Sequence, residues 1–315
     1  MLFTKRQESE LITAIKGRGE IPLKFVYLGE GAHNWDALAG DRTENGGINS
    51  MEGTLLTNKA ADFIGAFKGV SKINVIDIGC GNGYPGVPIF NELQKQGIPF
   101  RYVPVDISAE LLDLAEKNVR ELFEDIEVRK FQLDFELGNF SDMTYDLKSD
   151  GSSNLLLFLG STLGNFSDRN RVLTNFRDSM SSDDYLINGV ELTNFAKIDK
   201  IVSHYSVDGV GDFLYFIPEQ IGINREDTDF NATWNDRENQ VEMRITLKKD
   251  ADITIGNDSF KLEKGESLFL ARSMKFAEWS VTKLLSDVGY RNELLTTNAD
   301  RSYVLSMVQP TRYII

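Results

Sequence analysis

From Asn74 to Leu192 the chain alternates between two periodicities. Apolar runs of strand length are followed by stretches in which apolar residues recur every three or four positions. Asn74–Ile78, Phe100–Asp106, Glu127–Phe131, Asn154–Leu159 and Tyr185–Leu192 predict strands, the third ending near Asp134. Gly86–Gln96, Ala109–Phe123 and Arg169–Met180 predict helices. In the second of these, Leu111, Leu112, Ala115, Val119 and Leu122 share one face. Asn154–Leu159 is almost wholly apolar, as a strand covered on both sides must be. This alternation predicts a parallel sheet with helices on both faces.

The flanks are patterned differently. Met1–Gly17 predicts a short amphipathic helix through Leu11, Ile12 and Ile15, and Ile21–Tyr27 an extended aromatic segment. Asp41–Ser50, rich in Gly, Asn and Asp, predicts a loop. Asn49-Ser50-Met51-Glu52 offers a polar cap for a helix reaching Phe67. After Leu192, Phe195–Phe216 predicts a helix carrying Tyr205. Asn231–Leu247 and Ile253–Leu262 alternate apolar with polar residues, and Gly256-Asn257-Asp258 marks a hairpin turn in the second stretch. A helix over Glu278–Val288 and a strand over Tyr303–Val308 follow. The expected architecture is a doubly wound α/β core interrupted by a mixed insert, with the N-terminal segment packed on that insert.

Composition narrows the partners. The chain has 315 residues, of which 41% are hydrophobic and 26% charged, enough for a sizeable core without disulfides or metals. A net charge of −14 argues against nucleic acid and anionic membrane surfaces as partners. One cysteine, Cys80, and two histidines, His33 and His204, are too few for a typical zinc site. No apolar run approaches the ~20 residues of a membrane span. Nor does a long apolar run follow the charges of the N-terminus, so the expectation is a cytoplasmic protein.

The chemistry centres on Val75-Ile76-Asp77-Ile78-Gly79-Cys80-Gly81-Asn82-Gly83-Tyr84-Pro85-Gly86. Gly81–Gly86 satisfies G-x-G-x-x-G, with Asp106 about 20 residues on, as a dinucleotide fold requires. The same stretch fits a narrower pattern, an acid one residue before Gly79-Cys80-Gly81-Asn82-Gly83, which resembles motif I of class I S-adenosylmethionine (SAM) methyltransferases. In that reading Gly79, Gly81 and Gly83 open the backbone beside the methionine moiety of SAM. Asp77 accepts from its amine, Asp106 holds the ribose hydroxyls, and Asp134 and Phe135 meet the adenine amine and ring face. SAM has no pyrophosphate, and Pro85 removes a donor where a phosphate would sit. SAM is therefore the expected cofactor.

Leu157-Phe158-Leu159-Gly160-Ser161-Thr162-Leu163-Gly164-Asn165-Phe166 resembles the signature of the SAM-dependent histidine Nα-methyltransferases of ergothioneine biosynthesis, to which fungal dimethylallyltryptophan N-methyltransferases are similar. The likeness spans nearly the whole chain and persists in Val241-Glu242-Met243-Arg244 and Ser273-Met274-Lys275-Phe276. It implies a class I Rossmann-like methyltransferase core over residues 55–195 and 280–315, with an inserted α+β substrate-binding domain from residues 1–54 and 196–279. It also implies that Asn165 and Tyr205 hold an amino-acid carboxylate, that Met243 and Ser273 line the acceptor site, and that Tyr27 lies near the methylated amine. For both tyrosines, core packing with a satisfied hydroxyl is the alternative.

The chain departs from this family at the side-chain end of the acceptor. Where the histidine enzymes grip the imidazole with Glu and Ser two residues apart, Ala271 and Ser273 stand. Arg272, between them, would point to the opposite face of a strand. Gly46-Gly47 takes the place of a Tyr-Tyr pair. Losing a charged acceptor costs histidine about 1.5–3 kcal/mol. The expected function is thus N-methylation of an amino acid or amino-acid-derived small-molecule amine other than histidine. Methylation of a peptide or natural-product scaffold, or a non-catalytic SAM-binding module, are the alternatives. An α-amine loses its proton near pH ~7.7–8.0, so positioning matters more than a strong base. Tyr27 is the candidate for orienting the nucleophile. His33, in Gly31-Ala32-His33-Asn34-Trp35, is the candidate proton acceptor, against a loop histidine with no role.

Overall fold

The computed structural model describes residues 2–44, 48–193 and 197–311. The chain begins with α1 (Lys5–Arg18), started by a Thr4–Gln7 capping box and stopped by Gly19. A 3-10 turn (Leu23–Tyr27), α2 (Glu30–Glu44) and α3 (Ile48–Ile64) follow. Then come β1 (Ile73–Ile78), α4 (Val87–Lys95), β2 (Phe100–Asp106), α5 (Ala109–Leu122) and the short β3 (Glu127–Val128) and β4 (Phe131–Gln132). The next elements are α6 (Ser141–Leu147), β5 (Ser153–Phe158), α7 (Arg169–Asp178) and β6 (Tyr185–Glu191). The insert supplies α8 (Ile198–Ser203), α9 (Asp208–Gln220) and five strands: β7 (Thr228–Asn235), β8 (Gln240–Leu247), β9 (Ala251–Ile255), β10 (Asp258–Leu262) and β11 (Ser267–Met274). The chain ends with α10 (Glu278–Asp287), β12 (Tyr290–Thr297) and β13 (Tyr303–Pro310).

Two compact units result, Met1–Leu38 with Asn194–Met274, and Ala39–Thr193 with Lys275–Ile315. The larger unit is a Rossmann-like α/β fold. Its sheet runs β12-β13-β6-β5-β1-β2-β3, with β4 also beside β2. β1, β2, β3, β4, β5 and β6 are parallel, whereas β13 is antiparallel to both β6 and β12. Leu155, Leu156 and Leu157 of β5 are fully buried, each contributing about 1.5–3 kcal/mol. β1 pairs with β2 on one side and with β5 on the other, which makes its carboxyl end the topological switch point, the place where α/β sheets bind ligands.

In the smaller unit, β11-β8-β7 form an antiparallel sheet and β9 and β10 a hairpin. The N-terminal segment packs on these strands. Ile21 N–H donates to Phe269 O (2.9 Å), Phe269 N–H donates to Gly19 O (2.7 Å), and Lys16 Nζ lies 4.5 Å from the Phe260 ring centroid. No helix of the described residues is long and apolar enough to cross a membrane.

Several expectations need correction. Ile21–Tyr27 is not extended throughout, because Leu23–Tyr27 winds into a 3-10 turn that buries Phe25 and Val26. Residues 41–44 continue α2 and residues 48–50 already belong to α3, so the polar stretch is largely helical and Asn49-Ser50 lies inside a helix. A stretch rich in Gly, Asn and Asp has the composition of a loop even where its backbone is helical. Gly46-Gly47 lies outside the described residues. Phe195–Phe216 is not one helix: α8 ends at Ser203, and α9 starts at Asp208. Tyr205 sits in the turn between them. Residues 39–54 and 275–279, expected with the insert, group with the sheet unit. Leu55, Leu56 and Phe63 of α3 join its core, and Phe276 N–H bonds Glu191 O at 3.0 Å.

Candidate functional site

The backbone after β1 passes through the left-handed region at Gly79 (φ 67°), Gly81 (φ 54°) and Gly83 (φ 81°), a sequence of turns that side chains resist. A Cβ on Gly83 would lie 3.0 Å from Val119 Cγ2 and 3.2 Å from both Ala115 O and the Tyr102 hydroxyl. The turn is tied to its neighbours. Gly79 N–H donates to Val105 O (2.8 Å) and Asn118 Nδ2 to Asn82 O (3.0 Å).

Two acids close on this turn. Asp77 is buried and accepts from the Tyr102 hydroxyl at 3.1 Å. Asp106 is buried and accepts from Ser108 N (3.0 Å) and Gly81 N (3.4 Å). Burial pushes the Asp77 carboxyl up to about 7, against the Tyr102 bond and with help from the Asp106 and Glu52 charges. Burial likewise pushes Asp106 up to about 6, against its backbone hydrogen bonds. Among the described residues no Lys or Arg forms an ion pair with either acid.

Asp134 and Phe135 follow β4. Asp134 Oδ1 accepts from Glu136 N (3.1 Å), and Asn175 Nδ2 on α7 donates to Phe135 O (3.1 Å). The Phe135 ring packs on Phe158, Phe166 and Phe176, with centroids 5.7–6.0 Å away. A Cβ on Gly79 would sit 3.8 Å from Phe135 Cζ. The structure thus gathers Asp77, Gly79, Gly81, Gly83, Asp106 and Phe135 at the carboxyl ends of β1, β2 and β4, with Asp134 beside them in the chain.

The Gly160–Asn165 segment leaves β5 through Gly160 (φ 71°) and Ser161 (φ 57°). It then forms a 3-10 turn (Thr162–Asn165) that ends at half-buried Asn165. A serine in the left-handed region is costly, on the order of 1–3 kcal/mol, and persists where its surroundings over-determine it.

In the smaller unit, the Tyr205 hydroxyl donates to Ser273 Oγ at 2.8 Å, both side chains being buried. Register puts Ser273 opposite Val241 and Val241 opposite Trp234. Ala271 lies opposite Met243, and Met243 opposite Ala232. Directly opposed residues share a face. Ser273, Ala271, Met243 and Trp234 therefore line the same side of the β11-β8-β7 sheet, and the indole N–H of Trp234 is buried without a partner among the described residues. Arg272 is on the other side, as expected, where it pairs with Glu20 (3.5 Å) and stacks on Phe269 (4.5 Å to the centroid).

Tyr27 ends the 3-10 turn, half-buried, with its ring 5.3 Å from Phe213 and 6.4 Å from Trp35. His33 is an exposed residue of α2 rather than of a loop.

Sequence reasoning missed Tyr102, Asn118, Asn175 and Trp234. Tyr102 and Trp234 read as ordinary strand aromatics, and the two asparagines as unremarked polar positions on helices. Only the fold reveals what each reaches.

Two buried acids with no basic partner among the described residues repel a pyrophosphate and suit a ligand bearing a sulfonium and an ammonium. The bare glycine backbone and the flanking Phe135 ring fit the rest of SAM. Comparison with known proteins agrees. A family model described as histidine-specific methyltransferase, SAM-dependent, matches residues 7–310. The chain is 23% identical over 300 residues to a histidine N-alpha-methyltransferase of Mycobacterium tuberculosis, covering 91% of this chain and 89% of that one. It is 22% identical over 252 residues to the N-methyltransferase imqF of Aspergillus flavus, covering 73% and 65% of the two chains. A solved S-adenosylmethionine-dependent methyltransferase from Clostridium acetobutylicum aligns over 89% of this chain and 99% of that one at 11% identity, with a TM-score of 0.48. A family match running over nearly the whole chain, on a fold whose glycine turn and acids suit SAM, shows that this protein is a SAM-dependent methyltransferase and belongs to the histidine-specific methyltransferase family.

Proposed function

We propose that the enzyme methylates the amine of a free amino acid or an amino-acid-derived small molecule, and that histidine is not its preferred acceptor. The observation that carries this reading is the buried Tyr205–Ser273 hydrogen bond on a sheet face that also holds Ala271 and Met243. That face offers hydroxyls for polar acceptor atoms and an apolar surface for a side chain. Among the described residues of β7, β8 and β11 it presents no carboxylate to an imidazole, since Glu242 points the other way with Arg272. The names of the two curated relatives, both N-methyltransferases, one acting on the Nα of histidine, support an amine as nucleophile.

SAM supplies an electrophilic methyl group on its sulfonium. In our reading Asp77 and Asp106 hold the ammonium and the ribose, and Asp134 and Phe135 the adenine, while Gly79, Gly81 and Gly83 let the ligand reach the backbone. Asn165 of the sheet unit is read as a ligand of the acceptor's carboxylate, and the Tyr205–Ser273 hydroxyl pair of the smaller unit as a polar contact for the acceptor, with Met243 alongside. Tyr27, its ring fixed against Phe213, orients the neutral amine, and alignment supplies most of the rate. The amine's proton leaves to water or to an exposed base such as His33.

The test is S-adenosylhomocysteine (SAH) release across a panel of free amino acids, their decarboxylated amines and short peptides, with intact-mass detection of the product. A free amino acid other than histidine should head the panel. Preference for histidine, turnover of peptides alone, or silence across the panel would each refute the reading.

A further inference from the structure

The sheet unit contains a third buried acid with no basic partner among the described residues, Glu52 of α3, 2% exposed. Both its carboxylate oxygens accept from Gly160 N–H, at 3.0 and 2.9 Å. The Tyr303 hydroxyl donates to the same carboxylate and accepts from Ser161 N–H at 3.2 Å. Ser161 Oγ in turn accepts from Glu191 N–H at 3.0 Å, and the Glu191 side chain pairs with fully buried Lys275. Thus α3, β6 and β13 converge on two consecutive residues, Gly160 and Ser161.

Room for this arrangement is built into the sheet. A Cβ on Gly189 of β6 would fall on the Glu52 carboxylate and 2.8 Å from the Tyr303 hydroxyl. A fully buried carboxylate is an expensive way to stabilise a fold, since its desolvation is not repaid by a counter-charge. Burial pushes Glu52 up to about 7 against the bonds from Tyr303 and Gly160. What these groups hold is a left-handed serine four residues before Asn165. Backbone strain persists where the surroundings over-determine it, and it marks functional segments.

We infer that Glu52 and Tyr303 are positioning residues: they clamp the Gly160–Asn165 segment so that Asn165 meets the acceptor. The inference rests on the reading of Asn165 as an acceptor ligand. Neither residue needs to touch a reacting atom. Their removal should loosen the segment and weaken the acceptor while sparing the cofactor.

The decisive variants are Tyr303→Phe, which deletes the bridging hydroxyl without changing charge, and Glu52→Gln, which keeps the shape and one acceptor oxygen. Hydrogen exchange on the full-length protein needs no acceptor. In Tyr303→Phe the Gly160 and Ser161 amides should exchange at least about tenfold faster while those of β1 and β2 stay protected. With the best acceptor of the wild type, KM for the acceptor should rise about tenfold or more while the Kd for SAH changes less than about threefold. Glu52→Gln should be intermediate in both.

Unchanged exchange at Gly160 and Ser161 overturns the clamp. Faster exchange with an unchanged acceptor KM overturns its role in the reaction, as do parallel losses of acceptor and SAH binding. If the wild type turns over no acceptor of the proposed class, the failure lies with the proposed function, and exchange alone decides the clamp.

Discussion

The Tyr102 hydroxyl reaches across from β2 to hold Asp77 of β1 at 3.1 Å. Among the described residues it is the one side-chain bond that favours the ionised form of that acid. A hydrogen bond to a buried charge contributes about 1.5–3 kcal/mol. Tyr102→Phe should therefore weaken SAH binding about tenfold near neutral pH, because less of Asp77 is ionised. Raising the pH to about 9 should recover much of the loss, since ionisation is then driven by the solvent. Asp77→Asn should lose affinity at least as strongly and recover nothing. Calorimetric titration with SAH at the two pH values distinguishes the variants.

The same acids make the ligand-free protein sensitive to base. Asp77 and Glu52 are raised to about 7 and Asp106 to about 6, from ordinary carboxyl values near 4. Between about pH 4 and pH 7 the native state therefore holds protons that the unfolded chain has released, and stability falls as pH rises through that window. Below it the contribution is fully present; above it, lost. Melting temperatures without ligand should be lower at about pH 8 than at about pH 5.5. SAH, whose ammonium suits ionised acids, should raise the melting temperature more at the higher pH. A ligand-free protein that grows steadily more stable from pH 5.5 to 8 would sink the assignment, for which scanning fluorimetry suffices.

How much of this was legible follows from the range of the interactions. β2 is Phe100–Asp106 in both the pattern and the structure, and α5 differs by one residue, because a buried strand and a one-faced helix write their periods into consecutive residues. The glycine turn was legible for a related reason: φ values that exclude side chains leave glycines in the sequence. Tyr205 was misplaced because a serine-rich turn and a helix surface share a composition. Glu52 read as part of a helix start, and nothing local says that Gly160, more than a hundred residues on, will donate to it. The edge strand β12 and helix α6 left signals too weak to predict.

Tyr205 and Ser273 should behave as one unit. Both side chains are buried and their hydroxyls are bonded at 2.8 Å, so truncating either removes a partner of the other. Tyr205→Phe and Ser273→Ala should each raise acceptor KM about fivefold to twentyfold, and the double variant little more than the worse single. A double-mutant cycle on kcat/KM reads the coupling, and strict additivity would separate the two roles.

His33 is exposed on α2, where water competes with any role in accepting a proton. Methyl transfer to an amine requires alignment more than a strong base. His33→Ala should leave kcat within about threefold of wild type at about pH 8, measured by SAH release. A loss of about a hundredfold, with an altered pH profile, would establish His33 as the base.

Ala271 offers the sharpest test of acceptor choice. It lies opposite Met243 and two residues from Ser273, on the face where the Tyr205 hydroxyl arrives. A carboxylate at this point would stand two residues from Ser273, the Glu-x-Ser spacing that the family resemblance implies for gripping an imidazole. Ala271→Glu should therefore raise kcat/KM for histidine about tenfold or more, the value of a charged hydrogen bond of about 1.5–3 kcal/mol. Burying that carboxylate without a partner should lower the melting temperature, and histidine with SAH should restore part of it. Ala271→Gln separates charge from bulk, since it fills the same volume and should gain no histidine turnover. If Ala271→Glu remains folded and leaves kcat/KM for histidine at the wild-type value, acceptor choice resides elsewhere than on this sheet face.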